Sequence, residues 1–557
     1  MSVHPVWKSL LHFHKQRFFL PDENFLLSAV EDADLESVLR DSIALFATDK
    51  KAKCRFPARY LWLQAQGVVP RSDLVASCPQ YAEFVQRVPV DKISLIFASE
   101  RLAVPSSMMG HSLLSFEGIN SFGDKVEHSV SFSVALPSNP YSLIKEVVLV
   151  GKPGKLMVEP LNEPLARYLE VEQRNLWKYP LALSDSQKEL IQAHVWELKS
   201  VLIPYRFQSH NCATLLLDIV SLAIEADHYE RAAWISPTDL AKILETYGLI
   251  QQKELLPSKQ WMVRTMLEFL SESDQRQVDS WLDNPNSDIN LSDAQQLLAR
   301  YLLEYRYHQQ MISVKTYRDI SAQMAEWDVV QISFDSYRDP LKSIPDSHIR
   351  LGWRHDADGE WLLAGFLPAA HDLHDDNRNY FSESALRLTD MQIRFNAKDH
   401  SLQLDEWMLY EVSALNAYHP LTGGLSGFFS LGFDRREHTA LSKDLGLSIH
   451  GGGGYTRKLA TDLGVYGLLG MGTHKTREET RLYAMPEIGM WIYEIGNMKS
   501  WLNYSVDIPI NGNSVHRTTL DHSIGLGSKA RLVFTAENVK TREQSRWNIN
   551  ASIRFYH

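Results

Sequence analysis

The pattern that most limits the fold of this chain lies in its last part, from about Ser347 to His557. Here short segments in which apolar and polar residues alternate are separated by polar turns; there are about a dozen, each of roughly ten residues. A period of two places each residue type on its own face of a strand. The apolar face of the last segment consists of Ile549, Ala551, Ile553 and Phe555. We therefore predict an antiparallel sheet.

A sheet with one apolar and one polar face suits a transmembrane β-barrel, because in lipid every backbone group must be paired within a closed sheet. Four aromatic residues are candidates for its interfacial girdle, namely Trp491, Tyr493, Trp501 and Tyr504. The ending Phe555-Tyr556-His557 resembles the aromatic C-terminus of bacterial outer-membrane proteins, except for its final histidine. The alternative is a soluble β-sandwich, or a sheet packed on another domain, since alternation also fits a half-buried antiparallel sheet.

The whole chain, with 557 residues, is too long for a single core. Helical periodicity predominates in 1–85 and again in 231–335, whereas strands and helices are mixed in 86–230 and strands fill 336–557. We therefore predict four regions and an α+β fold, ending in an antiparallel β-barrel of about 12 strands.

Composition and sequence patterns argue against several classes of function. A formal charge of -11 argues against a nucleic-acid partner, because phosphate binding needs clustered lysine and arginine. No apolar run is long enough for a membrane-spanning helix. The start, Met1 to Trp7, lacks the pattern of a signal peptide, so we expect that a native one has been removed. No metal-ligand spacing or phosphate-binding loop is found, and we predict no cofactor and no metal.

The chain has three cysteines, and Cys212 is the one whose sequence surroundings are typical of a nucleophile. Cys54 and Cys78 could pair in an oxidising compartment, which would leave Cys212 as a free thiol. Cys212 opens an apolar helix after Ser209-His210-Asn211, with Ser209 or Asn211 as the N-cap. Helix N-termini lower thiol pKa values, so we expect a thiolate near neutral pH. The alternative is an inert, buried structural cysteine.

A nucleophilic thiol needs a base, and the base needs a third group that fixes its tautomer. His111 begins one predicted strand and His128 the next, and antiparallel pairing is expected to bring the two imidazoles within reach. Either could instead be a histidine satisfied by a backbone carbonyl. Tyr205 is a candidate to orient the thiolate or an oxyanion, although packing is the simpler role.

Two segments carry a family resemblance. Ser107-Met108-Met109-Gly110-His111-Ser112-Leu113-Leu114 and Tyr205-Arg206-Phe207-Gln208-Ser209-His210-Asn211-Cys212 resemble the signature segments of the Lnb N-terminal periplasmic domain family. Their order is similar to that of the circularly permuted papain-like superfamily, which includes the lecithin-retinol acyltransferase group and NlpC-type peptidases. Met109 departs from the aromatic residue expected before the Gly-His pair.

The resemblance implies a permuted papain-like catalytic domain over 86–230. It implies Cys212 as nucleophile, His111 as base and His128 as third partner. We predict that Tyr205, His210 and Asn211 support these residues. The implied protein is a cysteine-dependent acyltransferase for phospholipid or lipoprotein at the bacterial outer membrane, with its catalytic domain in the periplasm and the α-amine of a lipoprotein as acceptor. Peptidoglycan cleavage by the same thiol, or a non-enzymatic transport or adhesion barrel, are the alternatives.

Overall fold

The computed structural model describes residues 1–100, 109–134, 150–206, 209–224, 234–327, 339–380, 382–437 and 444–557. These residues form two compact units, the first comprising 1–100 and 109–261 and the second 262–557. Each unit has its own sheet. The four-region division of the chain stays a prediction.

The first unit begins with short helices, as the periodicity predicts. They are α1 (Pro5–Leu10), α2 (Glu23–Leu26), α3 (Leu35–Thr48), α4 (Ala52–Arg55), α5 (Pro57–Ala65), α6 (Leu74–Ser77) and α7 (Pro79–Arg87). A small hairpin, β1 (Phe13–His14) and β2 (Arg17–Phe18), lies between the first two. Cys54 and Cys78 form a disulfide, which leaves Cys212 as the free cysteine of the chain.

A seven-stranded antiparallel sheet forms the centre of the first unit, in the order β8-β6-β5-β4-β3-β7-β9. Its strands are β3 (Lys92–Ala98), β4 (His111–Ile119), β5 (Lys125–Ser133), β6 (Lys152–Pro160), β7 (Leu176–Pro180), β8 (Ile203–Tyr205) and β9 (Glu254–Leu256). Strand β3 is buried on both faces, because apolar residues occupy nearly all of its positions. The predicted strands before and after the turn at Gly118 to Gly123 are confirmed.

Four longer or later helices complete this unit: α8 (Asn162–Ala166), α9 (Asp185–Leu198), α10 (Cys212–Val220) and α11 (Pro237–Thr246). Helix α10 packs on β4 and β5, and α9 packs on α5. Every residue of α10 is buried, as its run of apolar side chains predicts. The N-terminal helices and the sheet therefore share a continuous packed interior around α10.

The second unit joins helices to a barrel. Its helical part consists of α12 (Lys259–Phe269), α13 (Glu272–Asp283), α14 (Asp293–His308) and α15 (Val314–Gln323). Capping boxes begin α13 and α14, at Ser271 and Ser292. None of the helices in the described ranges is long and apolar enough to cross a membrane.

Twelve antiparallel strands close into the barrel. They are β10 (His348–Asp356), β11 (Gly359–Leu367), β13 (Glu383–Asn396), β14 (Ser401–Leu415), β15 (Ser426–Asp434), β16 (Gly446–Ala460), β17 (Leu463–Lys475), β18 (Thr480–Tyr493), β19 (Met498–Pro509), β20 (Val515–Gly525), β21 (Ala530–Lys540) and β22 (Ser545–Tyr556). A short strand, β12 (Ala369–His371), pairs with β13. Strand β10 pairs with β22, and β11 with β13, so no edge is left open. The predicted fold class is confirmed.

The outer surface of the barrel is apolar. Large exposed side chains project from most strands, among them Leu351, Leu362, Ile488, Leu502 and Ile549. The alternation predicted for the last strand is confirmed, since Phe555 is exposed whereas Arg554 is buried. This apolar outside is the surface that a bilayer requires of a spanning barrel.

The predicted aromatic girdle is wrong for three of its four residues. Trp491, Tyr493 and Trp501 are buried inside the barrel, and only Tyr504 lies on the outer surface. On β18 the outward positions carry Met490 and Ile492, so the alternate positions, Trp491 and Tyr493, face inward. Trp491 and Trp501 stack inside with a ring separation of 5.5 Å.

Candidate active site

Helix α10 begins at Cys212, as predicted. Asn211 is its N-cap, and the Asn211 side chain accepts a hydrogen bond of 3.0 Å from the backbone N–H of Thr214. The Asn211 amide also donates to the carbonyl of Ile235 at 2.9 Å. Asn211 is thus held from two sides, and this fixes the backbone angle at which the chain enters the helix at Cys212.

The sulfur of Cys212 lies among backbone donors. The N–H groups of Ser112, Ala213 and Cys212 itself are directed at it and favour the thiolate. Burial acts in the opposite direction and is the larger effect, so the pKa of the thiol is raised above its ordinary value. The expectation of a thiolate near neutral pH is therefore wrong, because the helix terminus does not outweigh desolvation.

His111 is the first residue of β4, and the peptide N–H of the next residue, Ser112, points at the sulfur of Cys212. Its side chain is partly exposed, and its ring lies 6.1 Å from that of Tyr168. Burial of the ring, with a further contribution from Arg174 and Arg167, lowers the pKa of His111 to about 3. The imidazole is therefore neutral at physiological pH.

Gly110 determines how the chain enters β4. Its φ of +83° is open to glycine and strained for other residues. A Cβ here would lie 2.7 Å from the Phe97 ring and 2.8 Å from the Ala98 carbonyl oxygen. The glycine therefore allows His111 to start directly against β3. Ser107 and Met108 of the same motif lie outside the described residues.

Arg174 is a buried cation next to both candidate catalytic groups, and the sequence did not indicate it. Its guanidinium donates to the carbonyls of Ser99 at 2.6 Å and Ala98 at 2.9 Å, and it pairs with Glu172 at 3.0 Å. Ala98 is the β3 residue paired with His111. The positive charge lowers the pKa values of both His111 and Cys212.

These electrostatics define the resting state of the site. The thiol of Cys212 has a raised pKa and the imidazole of His111 has a lowered pKa, so both groups are neutral at physiological pH. If Cys212 acts as a nucleophile, its attack would have to be accompanied by transfer of the thiol proton to a base, as in general base catalysis. Donors directed at the sulfur become available to stabilise negative charge when it develops there.

His128 does not join this pair. The β4–β5 register places it opposite Phe116. Continued beyond its last pair, Leu114 with Val130, the same register would put His111 opposite Ser133, five residues further along β5, or about 16 Å at the rise of a strand. An odd offset also places the two imidazoles on opposite faces of the sheet. The antiparallel pairing predicted across the Gly-rich turn is confirmed, but the prediction that it brings the two imidazoles within reach of each other is wrong.

Tyr205 and His210 both lie near the helix start. The charge of a Cys212 thiolate contributes to raising the pKa of Tyr205, after the larger effect of burial, so the two side chains are neighbours. His210 is buried and stacks on Phe19 at 5.6 Å, with the Phe132 ring edge-on at 6.2 Å. His210 thus packs the base of the loop before Cys212. Phe207 and Gln208 lie outside the described residues.

A buried polar chain beneath α10 also escaped sequence reasoning. Asp218 of α10 contacts His12 at 3.2 Å and His14 at 2.9 Å, and His12 contacts His194 at 3.0 Å. Glu197 continues the chain, at 3.8 Å from His194 and 3.6 Å from Arg59. One residue could have indicated this polar chain in the sequence, namely Asp218. It is a lone charge in an otherwise apolar helix, and a buried charge requires polar partners.

Comparison with protein families supports the division seen in the structure. Residues 80–247 match the model of the Lnb N-terminal periplasmic domain. Residues 338–556 match a domain of unknown function, DUF7840, and residues 1–66 match another, DUF7843. The Lnb match contains both Cys212 and His111, whereas His12 and His14 belong to the segment before it. A search of curated proteins finds no match.

Solved structures similar to part of this chain are outer-membrane barrels. The KdgM porin in complex with disordered oligogalacturonate is 11% identical over 38% of this chain and 99% of its own, with a TM-score of 0.25. An outer membrane channel from Pseudomonas putida F1 is 8% identical over 40% and 99%, with a TM-score of 0.25. OmpT, an outer membrane protein of Vibrio cholerae, is 10% identical over 38% and 98%, with a TM-score of 0.19.

The location of the protein follows from its two parts. A closed twelve-stranded barrel with an apolar outer surface belongs in the bacterial outer membrane. The match over 80–247 is to a periplasmic domain. The protein therefore resides in the outer membrane, with its N-terminal domain in the periplasm.

Proposed function

We propose that this chain, an Lnb N-terminal periplasmic domain joined to an outer-membrane β-barrel, is a cysteine-dependent acyltransferase. Its substrates are esters of membrane lipid or lipoprotein, and the acyl group passes through a thioester on Cys212. The observation that carries the proposal is the placement of Cys212 at a helix start, with three backbone N–H groups directed at its sulfur, one of them from Ser112, the residue that follows His111.

In the first half-reaction, an imidazole nitrogen of His111 accepts the proton of the Cys212 thiol while the sulfur attacks the ester carbonyl carbon. The carbonyl π electrons move to oxygen and give a tetrahedral oxyanion. When this intermediate collapses, the bond to the alcohol oxygen breaks and that oxygen takes the proton from His111. The products are a free alcohol and an acyl thioester on Cys212.

In the second half-reaction, an amine attacks the thioester. His111 accepts a proton from the attacking nitrogen, and the sulfur leaves as a thiolate that recovers a proton. The products are an amide and the resting thiol. We propose the α-amine of a lipoprotein as the acceptor, so the net reaction is lipoprotein N-acylation.

The resting electrostatics suit such an enzyme. A permanent thiolate would react with many electrophiles, whereas a neutral thiol and a neutral base remain inert until a substrate carbonyl is in place. Arg174 supplies a fixed positive charge near the developing negative charge without itself being exposed, since it is 3% accessible. The membrane barrel supports the choice of lipid, because it holds the enzyme where lipid substrates are concentrated.

Mass spectrometry of Cys212 tests the proposal directly. The full-length protein, reconstituted in bilayers with phospholipid and a diacylated lipoprotein, should acquire a fatty-acyl mass on the peptide that contains Cys212 and should yield an N-acylated lipoprotein. Cys212→Ala should abolish both products, and His111→Asn should lower the rate at least about 100-fold, as expected for loss of a general base. His128→Asn, on the opposite face of the sheet, is the matched control and should keep wild-type activity.

Parallel incubation with purified sacculi separates this chemistry from amide cleavage. If the protein releases peptidoglycan fragments in a reaction that requires Cys212, and if exposure to lipid leaves no acyl adduct on Cys212, the activity is amide hydrolysis and not acyl transfer. Undiminished N-acylation by Cys212→Ala would contradict any covalent role of this residue. Equal loss in His111→Asn and His128→Asn would show that the loss reflects folding and not the base.

A further inference from the structure

A segment between β11 and β13, residues 369–380, turns into the barrel; we call it the plug segment. It begins with the short strand β12 and ends at the buried Tyr380. Asp375 and Asn377 within it are buried completely or almost so. A loop that covered the barrel end from outside would expose such polar side chains, so their burial means that the segment lies within the lumen.

Ion pairs attach the plug segment to the last strand. The Asp372 carboxylate lies 2.7 Å from the guanidinium of Arg554, and Asp375 lies 3.4 Å from the same group. Asp375 also accepts a hydrogen bond from the Tyr556 hydroxyl. The partners are inward-facing residues of β22, and their charges are neutralised by the segment.

Further contacts reach β18, β19 and β20. The side chain of Lys499 on β19 donates to the carbonyls of Leu373 at 2.7 Å and Asp375 at 3.1 Å. His374 pairs with Asp521 of β20 at 3.2 Å. The backbone N–H of Asn377 donates to the Tyr493 hydroxyl of β18 at 3.0 Å. Backbone as well as side-chain groups of the segment are therefore bonded to the wall.

The order of the strands shows that these contacts span the whole lumen. The segment leaves the wall between β11 and β13, which are adjacent in the closed sheet. In a ring of twelve strands the position opposite that pair is the pair β18 and β19. Tyr493 and Lys499 belong to those two strands. The segment thus crosses the barrel along a diameter.

Apolar side chains occupy the space beside the crossing. Tyr466, Trp491 and Trp501 form part of a buried cluster against which Leu373 of the plug segment and Phe428 pack. Glycines make room for the rings: a Cβ on Gly464 would overlap Trp491, and one on Gly489 would overlap Tyr466. Side chains and the plug segment occupy this level of the lumen next to a cavity of about 1160 Å³, whose lining includes Asn377, Tyr466 and Trp491.

A second inward segment lies at the other end of the strands, directly after β15. Arg436 pairs with Asp507 of β19 at 2.6 Å, and the Glu437 carbonyl accepts from Arg517 of β20 at 2.8 Å. The Glu437 carboxylate accepts from Asn548 of β22 at 3.0 Å. Between the two crossings lies a cavity of about 300 Å³ that includes Glu487 and Asn503 in its lining.

We propose that the barrel is a sealed membrane anchor whose lumen is closed by the plug segment at one end and by Arg436 and Glu437 at the other. Barrels of eight strands are filled by their own side chains, whereas those of sixteen or more leave a water channel. Twelve strands fall between these limits, so whether the lumen is open depends on what other parts of the chain lie inside the wall. The two inward segments supply that filling, and this inference is independent of the thiol chemistry.

Single-channel recording in planar bilayers of phosphatidylethanolamine and phosphatidylglycerol tests the seal. The full-length wild-type protein should give no channel openings. A variant with 372–379 replaced by a Gly-Ser stretch of equal length, combined with Arg436→Ala and Glu437→Ala, should give discrete openings. Heat-modifiable mobility on gels establishes that the barrel of each protein is folded.

If the variant with the Gly-Ser stretch does not fold, point variants of the plug segment test the same proposal. Asp372→Asn with Asp375→Asn removes the charges that hold Arg554 and should produce transient openings in an otherwise intact barrel. Asp376→Asn is the matched control, because Asp376 pairs with Arg378 inside the segment, and it should remain closed. Sustained conductance of the wild type, or silence of a folded combined variant, would overturn the proposal.

Discussion

The Nδ1 atom of His12 lies 3.2 Å from the Oδ2 atom of Asp218, and both side chains are fully buried although 206 positions separate them. Asp218 belongs to α10, the helix that begins with Cys212. The N-terminal residues therefore hold the helix of the candidate nucleophile from its buried side. Ser9 adds a second link, with a hydrogen bond of 2.9 Å between its hydroxyl and that of Ser221.

This buried chain makes the first unit sensitive to acid. Burial lowers the pKa of His12 to about 4 from an ordinary 6.5, despite the opposing effect of Asp218. Because His12 binds a proton more readily in the unfolded chain than in the folded one, its contribution to the free energy of unfolding is complete above about pH 6.5 and is lost as the pH decreases toward 4. The loss is about 3 kcal/mol for a shift of this size. Urea unfolding at several pH values measures this loss of stability, and the exposure of Cys212 to labelling by 4,4′-dithiodipyridine reports the unfolded fraction.

His12→Gln removes the titrating group from the chain of Arg59, Glu197, His194 and Asp218. The variant should be less stable at pH 7, and its stability should depend less on pH between 6.5 and 4 than that of the wild type. His4→Gln, at an exposed position, should keep the wild-type slope. An equally steep slope in His12→Gln would assign the acid sensitivity to other groups.

Much of the fold could be predicted because it depends on local periodicity. Alternation in 347–557 is repeated over many strands, and a helix start such as Asn211-Cys212 is set by neighbouring residues. Alternation does not reveal which face of an aromatic-rich strand points outward. Trp491 and Tyr493 suit either a membrane interface or a packed lumen. In the structure they face the lumen, where the plug segment packs, and that segment has no periodic pattern by which the sequence could have indicated it.

The site was predicted only in part for the same reason. Cys212 and His111 follow local signals, namely a capped helix and a Gly-His strand start. The position of His128 depends on the register of β4 with β5, which one residue in the turn can change. Arg174 reaches His111 through the carbonyl of Ala98, 76 positions earlier in the chain, so its role exists only in the folded structure.

Charge near the thiol should set how fast Cys212 reacts. The pKa of this thiol is raised by burial, so labelling at pH 7 should be slower than for an exposed thiol and should increase as the pH rises. Arg174 opposes the effect of burial, and Arg174→Met should therefore move the labelling midpoint to still higher pH. Stopped-flow labelling with 4,4′-dithiodipyridine over a series of pH values measures both.

Arg167→Gln provides the matched control for Arg174. Arg167 is exposed and lowers the pKa of His111, while Arg174 acts on both His111 and Cys212. Arg167→Gln should thus raise the His111 pKa, observed by NMR of the imidazole, and leave the thiol midpoint in place. Identical thiol midpoints in Arg174→Met and the wild type would mean that the buried guanidinium acts through packing alone.

Gly110 and Gly123 form a pair of glycines that separates backbone strain from steric overlap. Both have positive φ, +83° and +86°, but only at Gly110 would a Cβ meet neighbours, 2.7 Å from the Phe97 ring and 2.8 Å from the Ala98 oxygen. Gly123→Ala should cost about 1 kcal/mol of stability from backbone strain. Gly110→Ala should cost clearly more in urea unfolding and should also displace His111, the next residue, so acyl-adduct formation on Cys212 should fall with it. Equal costs for the two substitutions, or full activity of Gly110→Ala, would mean that the approach of β4 to β3 adapts without moving His111.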